Sequence, residues 1–217
     1  MDKINYYNVS IAEIESFKAR DNKPKLALHA CCAPCSSHTL EFVTQFFDVT
    51  IIYGNSNIYP ENEFLIRRNE IEWFIAEFNK RNNRDVKIVF TPYDHNEFMQ
   101  DLRPFADAPE GGERCRLCYA KHIESALKWG SEHGYDYATT TLTISRQKNS
   151  QIINEVAKEL APKYPHIKYF YSDFKKKGGQ VRVQELKKEY GLYQQLYCGC
   201  EYSYRDTIVL GKNKHED

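Results

Sequence analysis

The chain has no apolar run approaching the ~18–20 residues that a membrane-spanning helix requires. Residues 1–20 also lack the basic-then-apolar plan of a secretory signal. Both absences lead to the expectation of a soluble, cytoplasmic protein with no membrane partner. Neither charge is in excess, since 30 Lys and Arg face 30 Asp and Glu. No global field then draws the protein to nucleic acid, and a nucleic-acid substrate needs a local basic patch. Internal repeats, low-complexity tracts and a Gly-rich Walker-type phosphate loop are missing as well. Aliphatic residues are not depleted: the hydrophobic fraction is 41% and the charged fraction 28%, as in ordinary globular proteins. A length of 217 residues is enough for one substantial core and points to one domain.

Short apolar runs alternate with helical spacing along the chain. Residues 25–30 read as a strand that ends at a cysteine cluster, and a helix capped by Ser36 or Ser37 follows over 36–47. A second strand, 49–53, runs into the turn residues Gly54, Asn55, Ser56, Asn57 and Pro60. Phe64, Ile71, Phe74, Ile75 and Phe78 then recur at helical spacing within 61–80, ahead of a third strand at 86–91. After a polar, Gly-rich stretch over 101–113 come a helix at 117–133 ended by Gly134, a strand at 137–142, a helix at 147–160 and a strand at 168–171. This order predicts an α/β fold: one mostly parallel open sheet with helices on both faces. Residues 1–24 read as an extra amphipathic helix, 25–204 as the α/β domain with a cysteine-containing helical extension at its end, and 205–217 as a tail. In such sheets ligands bind beyond the carboxyl ends of the strands, where strand order reverses. The loops after the first, second and fourth strands are therefore expected to face one crevice.

Seven cysteines fall in three groups: Cys31, Cys32 and Cys35; Cys115 and Cys118; Cys198 and Cys200. Core-filling cysteines would be scattered over apolar positions, whereas these sit at loops and helix starts beside Pro34, Arg114 and Gly199. The Cys-x-x-Cys spacing of Cys115/Cys118 and of Cys32/Cys35 lets two thiolates converge on one metal. Adjacent Cys31 and Cys32 point in different directions and can serve neighbouring metal atoms. Cys198-Gly199-Cys200 suits a strained, easily reduced disulfide or two ligands in an exposed turn. Three chemistries fit: a redox iron–sulfur site, a zinc site, or thiol-based redox or sulfur transfer. A structural zinc site takes four thiolates and leaves the others unexplained, whereas the first two groups can supply a 4Fe–4S cluster with a sulfur to spare.

Four stretches carry a resemblance: Leu28-His29-Ala30-Cys31-Cys32-Ala33-Pro34-Cys35; Arg114-Cys115-Arg116-Leu117-Cys118-Tyr119; Thr140-Thr141-Leu142-Thr143-Ile144-Ser145; and Tyr193-Gln194-Gln195-Leu196-Tyr197-Cys198-Gly199-Cys200. In this order, within residues 25–203, the chain resembles the cobalamin-independent epoxyqueuosine reductases of the QueH type. The resemblance implies a fold similar to PP-loop and other Rossmann-like nucleotide-binding proteins, with cysteines in place of the phosphate loop. It implies removal of the epoxide oxygen from epoxyqueuosine at the tRNA wobble position, with neither cobalamin nor ATP. By motif it assigns Cys31, Cys32, Cys115 and Cys118 to a 4Fe–4S cluster and makes Cys198 and Cys200 a redox-active pair. A second, mononuclear iron is implied beside the cluster, and Cys35 is placed near it. Where relatives carry an Asn-Pro-Asn-like loop, this chain has Asn55-Ser56-Asn57.

A low-potential electron donor is required as partner, besides the tRNA. Asn55, Asn57, Ser145, Arg146, Lys148 and Tyr197 lie on crevice loops or motif flanks and are candidates for substrate binding, or else for ordinary turn formation. His29, Tyr119, Ser145 and Tyr197 are candidate proton donors by position alone. Lys175-Lys176-Lys177, Arg182, Lys187 and Lys188 offer a local basic patch, with Tyr190, Tyr193 and Tyr197 as stacking surfaces for splayed bases, or as core. Two rival readings stay open: an RNA-binding module with zinc on Cys115, Cys118, Cys198 and Cys200, and a cluster-dependent tRNA thiolation enzyme. The latter is expected to show a Ser-Gly-Gly-type ATP loop after the first strand, which this sequence lacks.

Overall fold

A computed structural model describes residues 3–193 and 195–211; Gln194 of the fourth motif and residues 212–217 of the tail lie outside them. In chain order the elements are α1 (Tyr6–Glu15), β1 (Lys25–His29), α2 (Ala33–Val43), β2 (Asp48–Tyr53), α3 (Glu61–Asn82) and β3 (Lys87–Phe90). They continue with α4 (His95–Gln100), α5 (Glu113–Glu132), β4 (Tyr137–Thr140), α6 (Ser150–Leu160), β5 (Lys168–Tyr169), α7 (Gly179–Tyr190) and α8 (Glu201–Tyr204).

The strands form one sheet in the order β3-β2-β1-β4-β5, and all its pairings are parallel. The α/β architecture expected from the alternation is the one observed. Side-chain alternation along the strands sorts the two layers. Leu26, Leu28, Ile51 and Tyr53 point into one apolar layer with α2, α3 and α7, while Ala27, Ile52 and Ala138 point into the other with α5 and α6. The helical-spacing set Phe64, Ile71, Phe74, Ile75 and Phe78 is buried throughout. Helix α1 buries Tyr6, Ser10 and Ile14, one face of its turns. No helix among the described residues is long and apolar enough to cross a membrane.

Three local differences from the sequence expectation matter. Helix α2 begins at Ala33, not at Ser36, because Pro34 fits a helix's first turn and Cys32 supplies the extended cap. Helix α5 begins at Glu113 rather than near Leu117, behind the cap Gly112 and with an acidic residue in its first turn. The shifts put Cys35 and Cys115 into the first turns of helices, and Cys118 follows one turn further along α5. Helix α4 was not foreseen; Asp94 caps it by accepting the Glu97 amide at 2.9 Å.

Gly130 seats α5 against the sheet. A Cβ there would lie 3.0 Å from the Ala27 Cβ of β1 and 2.5 Å from Ile167 Cδ1. Gly130→Ala should therefore lower stability by about 1–3 kcal/mol through overpacking, despite alanine's better helix propensity. A urea midpoint at or above that of the parent would contradict this seating.

Candidate metal centre

Strand β1 sits between β2 and β4, so chain order reverses on either side of it, and the crevice opens beyond its carboxyl end. There Cys31, Cys32 and Cys35 hold their sulfurs within 4.8 Å of one another, with Cys31 Sγ and Cys32 Sγ 3.7 Å apart. Thr141, on the one-turn helix that follows β4, anchors the group: its Oγ1 accepts the Cys31 amide at 3.4 Å and lies 3.6 Å from Cys31 Sγ.

The remaining sulfurs come to the same place. Cys31, Cys115, Cys118, Cys198 and Cys200 line one cleft of about 600 Å3 together with Lys148, and Cys32 is buried behind them. Asn57 and Leu142 line it too, so loops after β1, β2 and β4 face one crevice, as the switch-point rule requires. On the outer wall Cys118 and Cys200 pack into an apolar patch around Met99, Leu102 and Tyr202. All seven cysteines are free thiols.

The thiols carry charge unequally. Hydrogen bonds from Cys32 and Cys35 hold Cys31 well below the ordinary thiol value, and the same bonds push Cys32 and Cys35 up. Burial, then the charges of Cys198 and Cys200, raises Cys118; burial and Cys198 raise Cys200. Burial alone would lower Lys148, but thiolates, Cys198 and Cys31 foremost, outweigh it and hold the ammonium well above its usual value. So many buried sulfurs can ionise together only around a compensating cation. A soft, all-thiolate donor set of this density suits iron–sulfur or zinc, not a hard oxygen-seeking ion.

Residues invisible to motif reasoning hold this arrangement. Arg67 of α3 is 2% exposed; it binds Glu63 at 2.7 Å and donates to the carbonyls of Cys198 and Tyr197 at 3.1 and 3.2 Å. The Tyr59 amide donates to the Gly199 carbonyl at 2.8 Å. Gly199 has φ +129, and a Cβ there would come 3.0 Å from the Arg67 guanidinium, so only glycine fits this turn. Arg114 donates to the carbonyls of Phe105, Ala106 and Ala108 and stacks 4.1 Å from Tyr202, tying the segment before α5 to the chain's end.

The other expected residues divide. Asn57 and Lys148 line the cleft. Asn55 is spent on the protein, donating to Ala30 O at 2.8 Å and meeting His29 Nε2 at 3.2 Å. Arg146 is exposed and bonds Gln180 of α7, Ser145 lends its carbonyl to Lys175, and neither lines the cleft. Tyr197 donates to Tyr59 O at 2.6 Å and sits 5.4 Å from the Arg67 guanidinium. Tyr119 is on the cleft wall. Tyr190 belongs to the core, edge-on to Phe74. Part of the basic patch is engaged within the protein: Arg182 is clamped by Glu41 at 3.0 and 2.6 Å, and Lys175 bonds Lys148 O at 2.9 Å.

His29 is fully buried, and Thr140 and Asn55 occupy both of its ring nitrogens, which is the arrangement of a structural pin. Burial holds its ring uncharged, with a value lowered from 6.5 to about 4. Between those values the unfolded chain binds a proton that the folded chain refuses. Stability should thus be intact above about pH 6.5 and fall by up to about 3 kcal/mol on acidification toward pH 4. Urea midpoints at pH 7 and pH 5 check this, and His29→Gln should reduce the difference, the share of the buried His122 remaining.

Comparison with known proteins agrees with this geometry. The family model described as "Epoxyqueuosine reductase QueH" matches residues 26–206. The chain is 40% identical over 203 residues to a protein of that name from Staphylococcus aureus (strain Mu50 / ATCC 700699), covering 93% of this chain and 84% of the relative. A protein of the same name from Streptococcus pyogenes serotype M1 is 40% identical over 201 residues, or 93% and 78% of the two chains. Another, from Staphylococcus epidermidis (strain ATCC 12228 / FDA PCI 1200), is 39% identical over 203 residues, or 93% and 85%.

Proposed function

Because this chain belongs to the QueH family of epoxyqueuosine reductases, we propose that it deoxygenates epoxyqueuosine in the tRNA anticodon to queuosine. The observation that carries the reading is the convergence of cysteines from three distant stretches on one cleft at the reversal of strand order.

In this reading Cys31, Cys32, Cys115 and Cys118 hold a 4Fe–4S cluster, Cys35 stands near a second iron, and Cys198 and Cys200 are a redox-active pair. The close sulfur triad and the placement of Cys115 in the first turn of α5, with Cys118 one turn on, support it. When bound, such a centre supplies single electrons at low potential and a Lewis acid for the epoxide oxygen. Deoxygenation consumes two electrons and two protons and releases water. Oxidation of a Cys198/Cys200 dithiol to the disulfide would release the same two electrons and two protons, and a low-potential donor would restore the thiols. The chain's own part is placement. Arg67 and Tyr59 hold the Cys198 turn at the cleft mouth, Lys148 offsets thiolate charge, and the apolar wall of Met99, Leu102 and Tyr202 keeps water from one side.

The test is anaerobic reconstitution followed by reduction of epoxyqueuosine-containing tRNA with a chemical reductant. Brown protein with iron and acid-labile sulfide that converts the tRNA is the expected result. Failure with the cluster intact would remove the substrate assignment. Colourless protein with one zinc would favour a structural zinc on Cys115, Cys118, Cys198 and Cys200, a set to which the packing of Cys118 beside Cys200 lends some support.

A further inference from the structure

Two buried polar atoms that belong to cleft-lining residues have no hydrogen-bond partner: His122 Nδ1 and Asn57 Oδ1. The mechanism above makes no use of His122. Its ring is stacked on His29 with centroids 4.3 Å apart and leans on Phe98 at 5.3 Å, so it is held in a slot. The Gly54 backbone lies beside the ring and favours a proton on the facing nitrogen. With the proton on the nitrogen that faces Gly54, the Nδ1 of an uncharged imidazole keeps a bare lone pair. Burial, followed by the neighbouring His29, keeps the ring uncharged. The Asn57 carbonyl oxygen is an acceptor by nature.

We infer that His122 Nδ1 and Asn57 Oδ1 form an acceptor pair that positions the substrate by taking hydrogens from the vicinal hydroxyls beside its epoxide. This rests on the reading above. The hydroxyls and the epoxide share one five-membered ring, so a ring that brings its epoxide to the sulfurs lays its hydroxyls against the same walls. A ring without hydroxyls leaves both acceptors buried and unpaired, which is how a site rejects an analogue.

The test compares the reconstituted holoenzyme with His122→Asn, His122→Gln and His122→Leu. Asparagine can place its carbonyl near the former Nδ1, glutamine reaches toward the other nitrogen, and leucine offers no acceptor. The KM for epoxyqueuosine tRNA should rise about tenfold in the Leu and Gln variants with kcat within about twofold, and the Asn variant should stay within about threefold of the parent. Iron, sulfide and affinity for tRNA with an unmodified wobble guanosine should not change. An unchanged KM in the Leu variant overturns the inference, as does equal loss in the Asn and Leu variants. Loss of iron in the Leu variant also overturns it, since His122 would then serve the metal. If the wild type converts the tRNA and the variants do not separate, the enzyme assignment stands and this inference falls. If the wild type converts nothing, both fall.

Discussion

Cys31→Ser should abolish the centre: iron and acid-labile sulfide are expected to drop to a minor fraction, and turnover of epoxyqueuosine tRNA by more than about a hundredfold. Cys31 is where the three sulfur groups meet, 3.7 Å from Cys32 and on the wall that carries Cys115, Cys118, Cys198 and Cys200. Its thiol is also held well below the ordinary value, since Cys32 and Cys35 hydrogen-bond its thiolate. Serine keeps the size and the contact with Thr141, so the fold should hold, but its hydroxyl stays protonated and is a harder donor. Thermal unfolding of the apo forms separates a folding defect from a ligand defect. Full iron and sulfide in this variant would remove Cys31 from the ligand set.

The second large effect concerns Arg67. Arg67→Met should cost about 3–5 kcal/mol, because it leaves Glu63 buried with its charge uncompensated. It also deprives the Cys198 and Tyr197 carbonyls of their donors. Alkylation of Cys198 and Cys200 under native conditions should speed up relative to that of Cys32. The double variant Glu63→Met/Arg67→Met should recover much of the stability, since the stranded charge is gone, while the faster alkylation persists. Equal stability of the single and double variants would mean that the pair is not electrostatically linked in the folded chain.

Sheet and sulfurs were legible in the sequence for separate physical reasons. Val49 to Tyr53 and the Phe64–Phe78 spacing report local burial, and local burial reads directly as periodicity. The cysteines announced themselves by grouping. The starts of α2 and α5 are hard to read because their caps, Cys32 and Gly112, make no side-chain cap bond to signal them, whereas Asp94 and Glu97 mark the start of α4 in the sequence itself. Arg67 and Glu63 show as an ordinary helical pair; only the fold reveals that they are buried against residues 130 and 131 positions away. The pairing of Arg182 was hidden in the opposite way, since the Glu41 that clamps it lies 141 positions off in the chain. His122 carried no motif of its own, and its open nitrogen becomes visible only once Gly54 is seen to face the other.

The bond from the Tyr59 amide to Gly199, with the Arg67 contacts beside it, sets an order of assembly. Synthesis runs from the amino end and segments fold as they emerge. The sheet strands, and with them Cys31, Cys32, Cys35, Cys115 and Cys118, are complete by Tyr169. The turn bearing Cys198 and Cys200 is made after the strands and docks onto a platform already in place. Until then the five earlier sulfurs lack the wall that Cys198 and Cys200 add to the cleft.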